Sequence, residues 1–118
     1  MSYTGLVEEV NLTPSMARVI KVFLENPGKP RYGFELMRIT GQASGTLYPI
    51  LARLQAAGWL AGGREDIDPH VEGRPPRRSY TITGDAVTAA RLQLAALSEQ
   101  YRPPAAAGRR LRPQGSTT

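Results

Sequence analysis

SGTLYPILARLQAAGWL, residues 44–60, is the stretch on which the fold turns. Leu47, Ile50, Leu51 and Leu54 recur at helical spacing and make one apolar stripe. Ser44 stands in capping position, so the pattern predicts a helix from Gly45 to Ala57, ended by Gly58. With Leu47 inward, Gly45, Pro49, Ala52, Arg53 and Ala56 point outward, Thr46 lies beside them and Tyr48 sits at one edge. Just upstream, a shorter helix is expected from about Tyr32 to Thr40, with Leu36 and Ile39 inward and Gly41 as its stop. Two short helices across a tight glycine-containing turn outline a helix-turn-helix.

The flanks complete the outline. Thr13-Pro14 is a helix start, with proline where its missing N–H costs nothing. Met16, Val19, Ile20, Phe23 and Leu24 form the inward stripe of that first helix, which Asn26-Pro27-Gly28 stops. Lys29-Pro30-Arg31 reads as an extended link. After Gly58, Trp59-Leu60 opens a strand toward Ile67, and Ser79 to Ile82 supplies an antiparallel partner beyond a loop rich in Gly, Pro and charge. Thr83 can cap a last helix, from Gly84 to about Gln100. Its Val87, Ala90, Leu94, Leu97 and Tyr101 alternate at spacings of three and four. The expected fold is therefore mainly α (α+β), a winged helix-turn-helix with an additional C-terminal helix. It divides into a lead-in (1–12), the winged domain (13–82), a dimerisation helix (83–101) and a basic tail (102–118) whose composition argues against order.

Composition narrows the function. The net charge is +5, but residues 1–100 are nearly balanced and four of the fifteen basic groups lie in the acid-free tail. Total charge is thus weak evidence for nucleic-acid binding by the folded part. With no cysteine, disulfides, thiol catalysis and Cys-based zinc sites are excluded. No apolar run is long enough for a membrane span and the polar start is no signal peptide, which points to the cytoplasm. Asp66, Asp68, His70 and Glu72 alternate, but Pro69 breaks the strand that would make them converge on a metal. With one histidine and no nucleophile–base pair, nothing anchors catalysis, and no cofactor is implied.

Three segments carry a family resemblance. GTLYPILARLQAAGWL, Gly45 to Leu60, resembles the recognition helix and first wing strand of the PadR-like transcriptional regulators. EGRPPRRSYTIT, Glu72 to Thr83, resembles their wing and second strand, and RYGFEL, Arg31 to Leu36, the opening of their second helix. The likeness extends over about Thr13 to Gln100 in the right order. It implies a homodimeric bacterial repressor that binds double-stranded DNA and is released by a small-molecule effector held at the dimer interface. Two departures stand out: Ser79-Tyr80 replaces a pair of aromatics, and one helix replaces a larger C-terminal extension.

Candidate DNA contacts follow from both lines. On the recognition helix they are Ser44, Gly45, Thr46, Tyr48, Pro49 and Arg53, whose small, hydroxyl and basic side chains suit a major groove about 12 Å wide. Ser44 serves equally well as a cap, Tyr48 either reaches DNA or covers the core rim, and Pro49 either shapes the helix for docking or merely stiffens its start. On the wing they are Arg74, Arg77, Arg78 and Tyr80, in a stretch without acid, kept extended by Pro75-Pro76. The acidic half before it, with Glu65, Asp66, Asp68 and Glu72, is expected to lie away from DNA or to pair with those arginines. Trp59 reads as core, or as the wall of an effector pocket.

Val87, Ala90, Leu94, Leu97 and Tyr101 are the expected dimer seam, with folding back on the same domain as the alternative. Two recognition helices about 34 Å apart would read a palindromic operator. A winged-helix module for protein–protein contact is the competing function, separable by salt dependence and discrimination among duplexes.

Overall fold

Thr13 caps the first helix as expected, its Oγ1 accepting the Met16 amide at 3.2 Å with Pro14 behind it. The computed structural model describes residues 7–100; Tyr101 and the basic tail lie outside the described residues. Helix α1 (Pro14–Glu25) buries Met16, Val19, Ile20 and Phe23, the predicted stripe. The link that follows is not free: Arg31–Tyr32 forms a short strand, β1. Helix α2 (Gly33–Thr40) stops at Gly41, which takes a left-handed φ of 74°. Ile39 corrects the expected inward set, for it is 47% exposed. The buried stripe runs instead through Gly33, Leu36 and Met37, and Ile39 falls beside it.

Helix α3 (Ser44–Ala56) starts one residue early. Its cap is Ala43, whose carbonyl accepts the Leu47 amide at 2.9 Å, so Ser44 is not the cap but the first helical residue. Strand β2 (Leu60–Arg64) ends three residues short of Ile67. The loop beyond holds one turn of helix, α4 (Pro69–Glu72), capped by the Asp68 carboxylate on the His70 amide at 2.9 Å. Strand β3 (Arg78–Ile82) lies between β1 and β2 in an antiparallel sheet of order β1-β3-β2. The expected two-stranded ribbon is therefore three-stranded. Pro30 hides the extra strand in sequence, and Arg31 pairing with Tyr80 creates it.

One core joins these layers: Phe23, Leu36, Leu47, Leu51, Leu54 and Trp59 are each almost fully buried. Trp59 is core, and its indole N–H donates to the Glu8 carbonyl at 2.7 Å. Helix α5 (Gly84–Gln100) opens on Thr83, whose Oγ1 accepts the Ala86 amide and donates to the Gly58 carbonyl. Its Gln93 amide grips the lead-in, donating to the Val10 carbonyl at 2.7 Å and accepting the Leu12 amide at 2.6 Å. Ala86 and Ala90 are wholly buried in their own domain, and Val87 and Leu94 pack on the same core. Ala90 thus faces inward, where it cannot serve the close approach to a partner expected of it. No helix among the described residues is long and apolar enough to cross a membrane.

Candidate nucleic-acid interface

Burying Leu47, Leu51 and Leu54 turns the opposite face of α3 to solvent. Gly45, Thr46, Pro49, Ala52, Arg53 and Ala56 are all exposed, as is Ser44. Open space surrounds Gly45. The face is small, polar and basic. Pro49 lies within the helix, on this exposed side.

Tyr48 leans to the edge, toward the start of α2. It is 44% exposed, and its hydroxyl covers Gly33 so closely that a Cβ there would collide with it. A pocket of about 290 Å3 opens at this junction, lined by Gly33, Phe34, Tyr48, Arg77 and Arg78 together with Tyr32 and Tyr80. The Phe34 ring stacks on Tyr32 at 6.0 Å, and the Arg77 guanidinium lies over the Phe34 ring, 4.8 Å from its centroid. Wing, recognition helix and α2 meet here.

Tyr80 is the clear correction among the site residues. It is 4% exposed, held in the central strand between Arg31 and Gly62, and so belongs to the core rather than to a DNA-facing surface. The wing arginines differ from one another. Arg74 donates to both Glu65 oxygens, at 2.7 and 3.1 Å, and is drawn into a clamp across the wing. Arg77 holds the same carboxylate more loosely, at 3.8 Å, while its backbone amide donates to it at 3.2 Å. These partners, the Arg74 hydrogen bond first, hold the Glu65 carboxyl down at about 2 against an ordinary 4.5. The expected pairing between the acidic and basic halves thus runs through Glu65. Among the described residues, Arg53, Arg64 and Arg78 make no ion pair.

Sequence reasoning missed Phe34 and Arg64, and it did not single out Glu65 among the four acids expected to lie away from DNA or to pair with the wing arginines. Phe34 offered one signal, a large apolar side chain one place off the inward stripe of its helix. The other two depend on strand register, which composition does not reveal. Asp68 caps α4, and no group of three or more His, Cys, Asp or Glu among the described residues is placed to hold a metal.

A helix pair presenting an exposed second helix, backed by a third and flanked by a β-hairpin, defines a winged helix-turn-helix protein. The profile of the "Transcriptional regulator PadR-like family" matches residues 22–86, more than half of the chain. The protein belongs to the PadR-like family of transcriptional regulators. Solved structures agree on the fold. A "PadR-like Transcription factor from bacteroid fragilis" is similar at 23% identity and a TM-score of 0.58, covering 72% of this chain and 82% of that one. A protein from Streptococcus mutans UA159 is similar at 17% identity and a TM-score of 0.57, over 79% of this chain and 86% of that one. A Streptococcus transcriptional regulator is similar at 24% identity and a TM-score of 0.52, over 78% and 94%. No curated protein sequence matches the chain.

Proposed function

We propose that this regulator is a cytoplasmic homodimeric repressor that reads a palindromic operator in double-stranded DNA and is released by a small-molecule effector. The observation that carries the DNA-reading part is the exposed face of α3, from Ser44 through Arg53, set beside Arg78, which makes no ion pair among the described residues. In this reading Ser44, Gly45, Thr46, Tyr48, Pro49 and Arg53 enter the major groove, where small side chains permit close approach and Arg53 offers paired donors. Arg77 and Arg78 meet the backbone beside it, and Arg74 holds the wing in shape through Glu65.

Dimerisation uses α5. Val87, Ala90 and Leu94 pack inward, which leaves Leu97 and the 69% exposed Leu92 for the partner. Beside Leu92 a shallow pocket of about 370 Å3, walled by Val7, Val10, Trp59 and Ala89, lies where an effector at the interface would be held.

Selection of genomic fragments by the purified protein tests this reading. Recovered sites should share a two-fold symmetric core. Arg77→Ala combined with Arg78→Ala should weaken all duplexes alike and flatten the log–log salt slope by about 1.8. Equal affinity for every duplex would instead favour the protein–protein module.

A further inference from the structure

We propose that Arg64 and Arg78, with Gln55 beside them, form an anion seat at the base of the wing that takes a phosphodiester of the DNA strand; this rests on the regulator reading above. Arg64 stands directly opposite Arg78 across β2 and β3. The Thr83 amide donates to the Trp59 carbonyl at 3.0 Å and the Glu65 amide to the Arg77 carbonyl at 2.9 Å. The pairs Trp59–Thr83 and Glu65–Arg77 each carry a ladder bond, and alternation from either end leaves Arg64 and Arg78 as a pair without ladder bonds, the kind whose side chains lie closer.

Like charges so placed repel each other and destabilise a hairpin. An acid is one residue away, yet it does not help. Strand alternation sends the Glu65 carboxylate to the other face, where it meets Arg74 and Arg77. The Arg64–Arg78 face keeps two positive charges and no counter-charge among the described residues.

The surroundings are shaped for an occupant. Gln55, Gly62 and Gly63 line a cavity of about 340 Å3 with the two arginines. Gly62 has no side chain to fill it, and a Cβ there would come 2.6 Å from the Gln55 amide nitrogen. That amide adds a neutral donor from α3 to two charged ones from the wing. Two guanidinium groups and an amide, open to solvent next to a helix that reads bases, match the charge and donor demand of a phosphodiester.

The test compares wild type, Arg64→Gln and Arg64→Lys in duplex binding across a range of salt concentrations, together with thermal unfolding. Arg64→Gln should weaken operator and random duplexes alike and reduce the salt slope by about 0.9, one phosphate contact. Arg64→Lys should restore the slope. The unfolding midpoint of Arg64→Gln should equal or exceed that of wild type, because a repulsion has been removed. An unchanged slope, or a lost slope that Arg64→Lys does not restore, overturns the seat. A DNA-free arm separates the seat from the regulator reading. Inorganic pyrophosphate should shift the guanidinium NMR signals of Arg64 and Arg78 together in wild type, and leave Arg78 unmoved in Arg64→Gln. If wild type bound no duplex the regulator reading would fall, while an absent pyrophosphate response would overturn the seat itself.

Discussion

The Arg77 guanidinium sits 4.8 Å from the centre of the Phe34 ring, so the wing rests on the first turn of α2. The same guanidinium is 3.8 Å from a Glu65 oxygen. A carboxylate reached from β2 and an aromatic ring from α2 thus hold one cation between them. This joint ties a hairpin tip to the helix that abuts the recognition helix through Gly33 and Tyr48. A half-exposed phenylalanine on this side of the molecule thereby acquires a role: it positions the Arg77 cation of the wing.

Phe34→Leu keeps an apolar residue but removes the ring, and it should free Arg77. A cation–ring contact at an exposed site is worth about 0.5–1 kcal/mol, so duplex affinity should fall about two- to five-fold. Phe34→Trp should restore it. In an Arg77→Ala background Phe34→Leu should have no further effect, which binding isotherms of the double-mutant cycle would show. A full effect in that background would mean Phe34 acts by some other route.

Glu65 makes the wing sensitive to acid. Its carboxyl is held at about 2 in the folded protein against an ordinary 4.5, chiefly by the Arg74 hydrogen bond. The folded value is the lower one, so the stabilisation is fully present above 4.5 and is lost as pH falls toward 2. Denaturation midpoints of wild type and Glu65→Gln should therefore differ at neutral pH and converge across that window. A constant gap would show that the charge of Glu65 holds nothing together.

The elements legible in sequence were those whose periodicity follows from a single buried stripe. Leu47, Leu51 and Leu54 specify α3, and with it which residues face outward; Thr13-Pro14 specifies the start of α1. What escaped depends on partners distant in the chain. Arg31 lies behind a proline and becomes a strand only because β3 passes beside it. Tyr80 sits among basic residues that suggest a surface, yet the central place of its strand buries it. Arg64 falls inside the expected strand from Trp59 toward Ile67, but only the register of β2 on β3 sets it against Arg78. Ala90 fits a seam by spacing alone, but α5 turns it toward its own core, with Gln93 fastening the helix to the lead-in.

Gly33 is buried beneath the Tyr48 ring, and an added Cβ would lie 2.7 Å from its Cζ as well as against its hydroxyl. Forcing a methyl group into a rigid site costs about 1–3 kcal/mol. Tyr48, however, is 44% exposed and can swing outward, and alanine gains up to about 1 kcal/mol over glycine in a helix. Gly33→Ala should consequently cost about 1 kcal/mol or less in stability while displacing Tyr48. If Tyr48 contacts DNA, Gly33→Ala and Tyr48→Ala should each weaken binding, and their combination should be no weaker than Tyr48→Ala. Additive losses in a binding assay would separate the two residues.

Two leucines of α5, Leu92 and Leu94, distinguish folding from assembly. Leu94 is half-buried against its own core, so Leu94→Glu places a carboxylate against that core. It should lower the stability of the subunit whatever its oligomeric state, by about 1–3 kcal/mol for lost apolar burial and an unpaired polar group. Leu92 is 69% exposed, and Leu92→Glu should leave the subunit fold untouched. If α5 forms the dimer contact, that substitution should still shift the protein toward monomer, by setting charges against an apolar helix face. Operator affinity should fall with it, since one half-site holds few contacts. Sedimentation of Leu92→Glu beside its unfolding curve decides the matter. An unaltered dimer with an unaltered unfolding midpoint would move the interface off this face of α5.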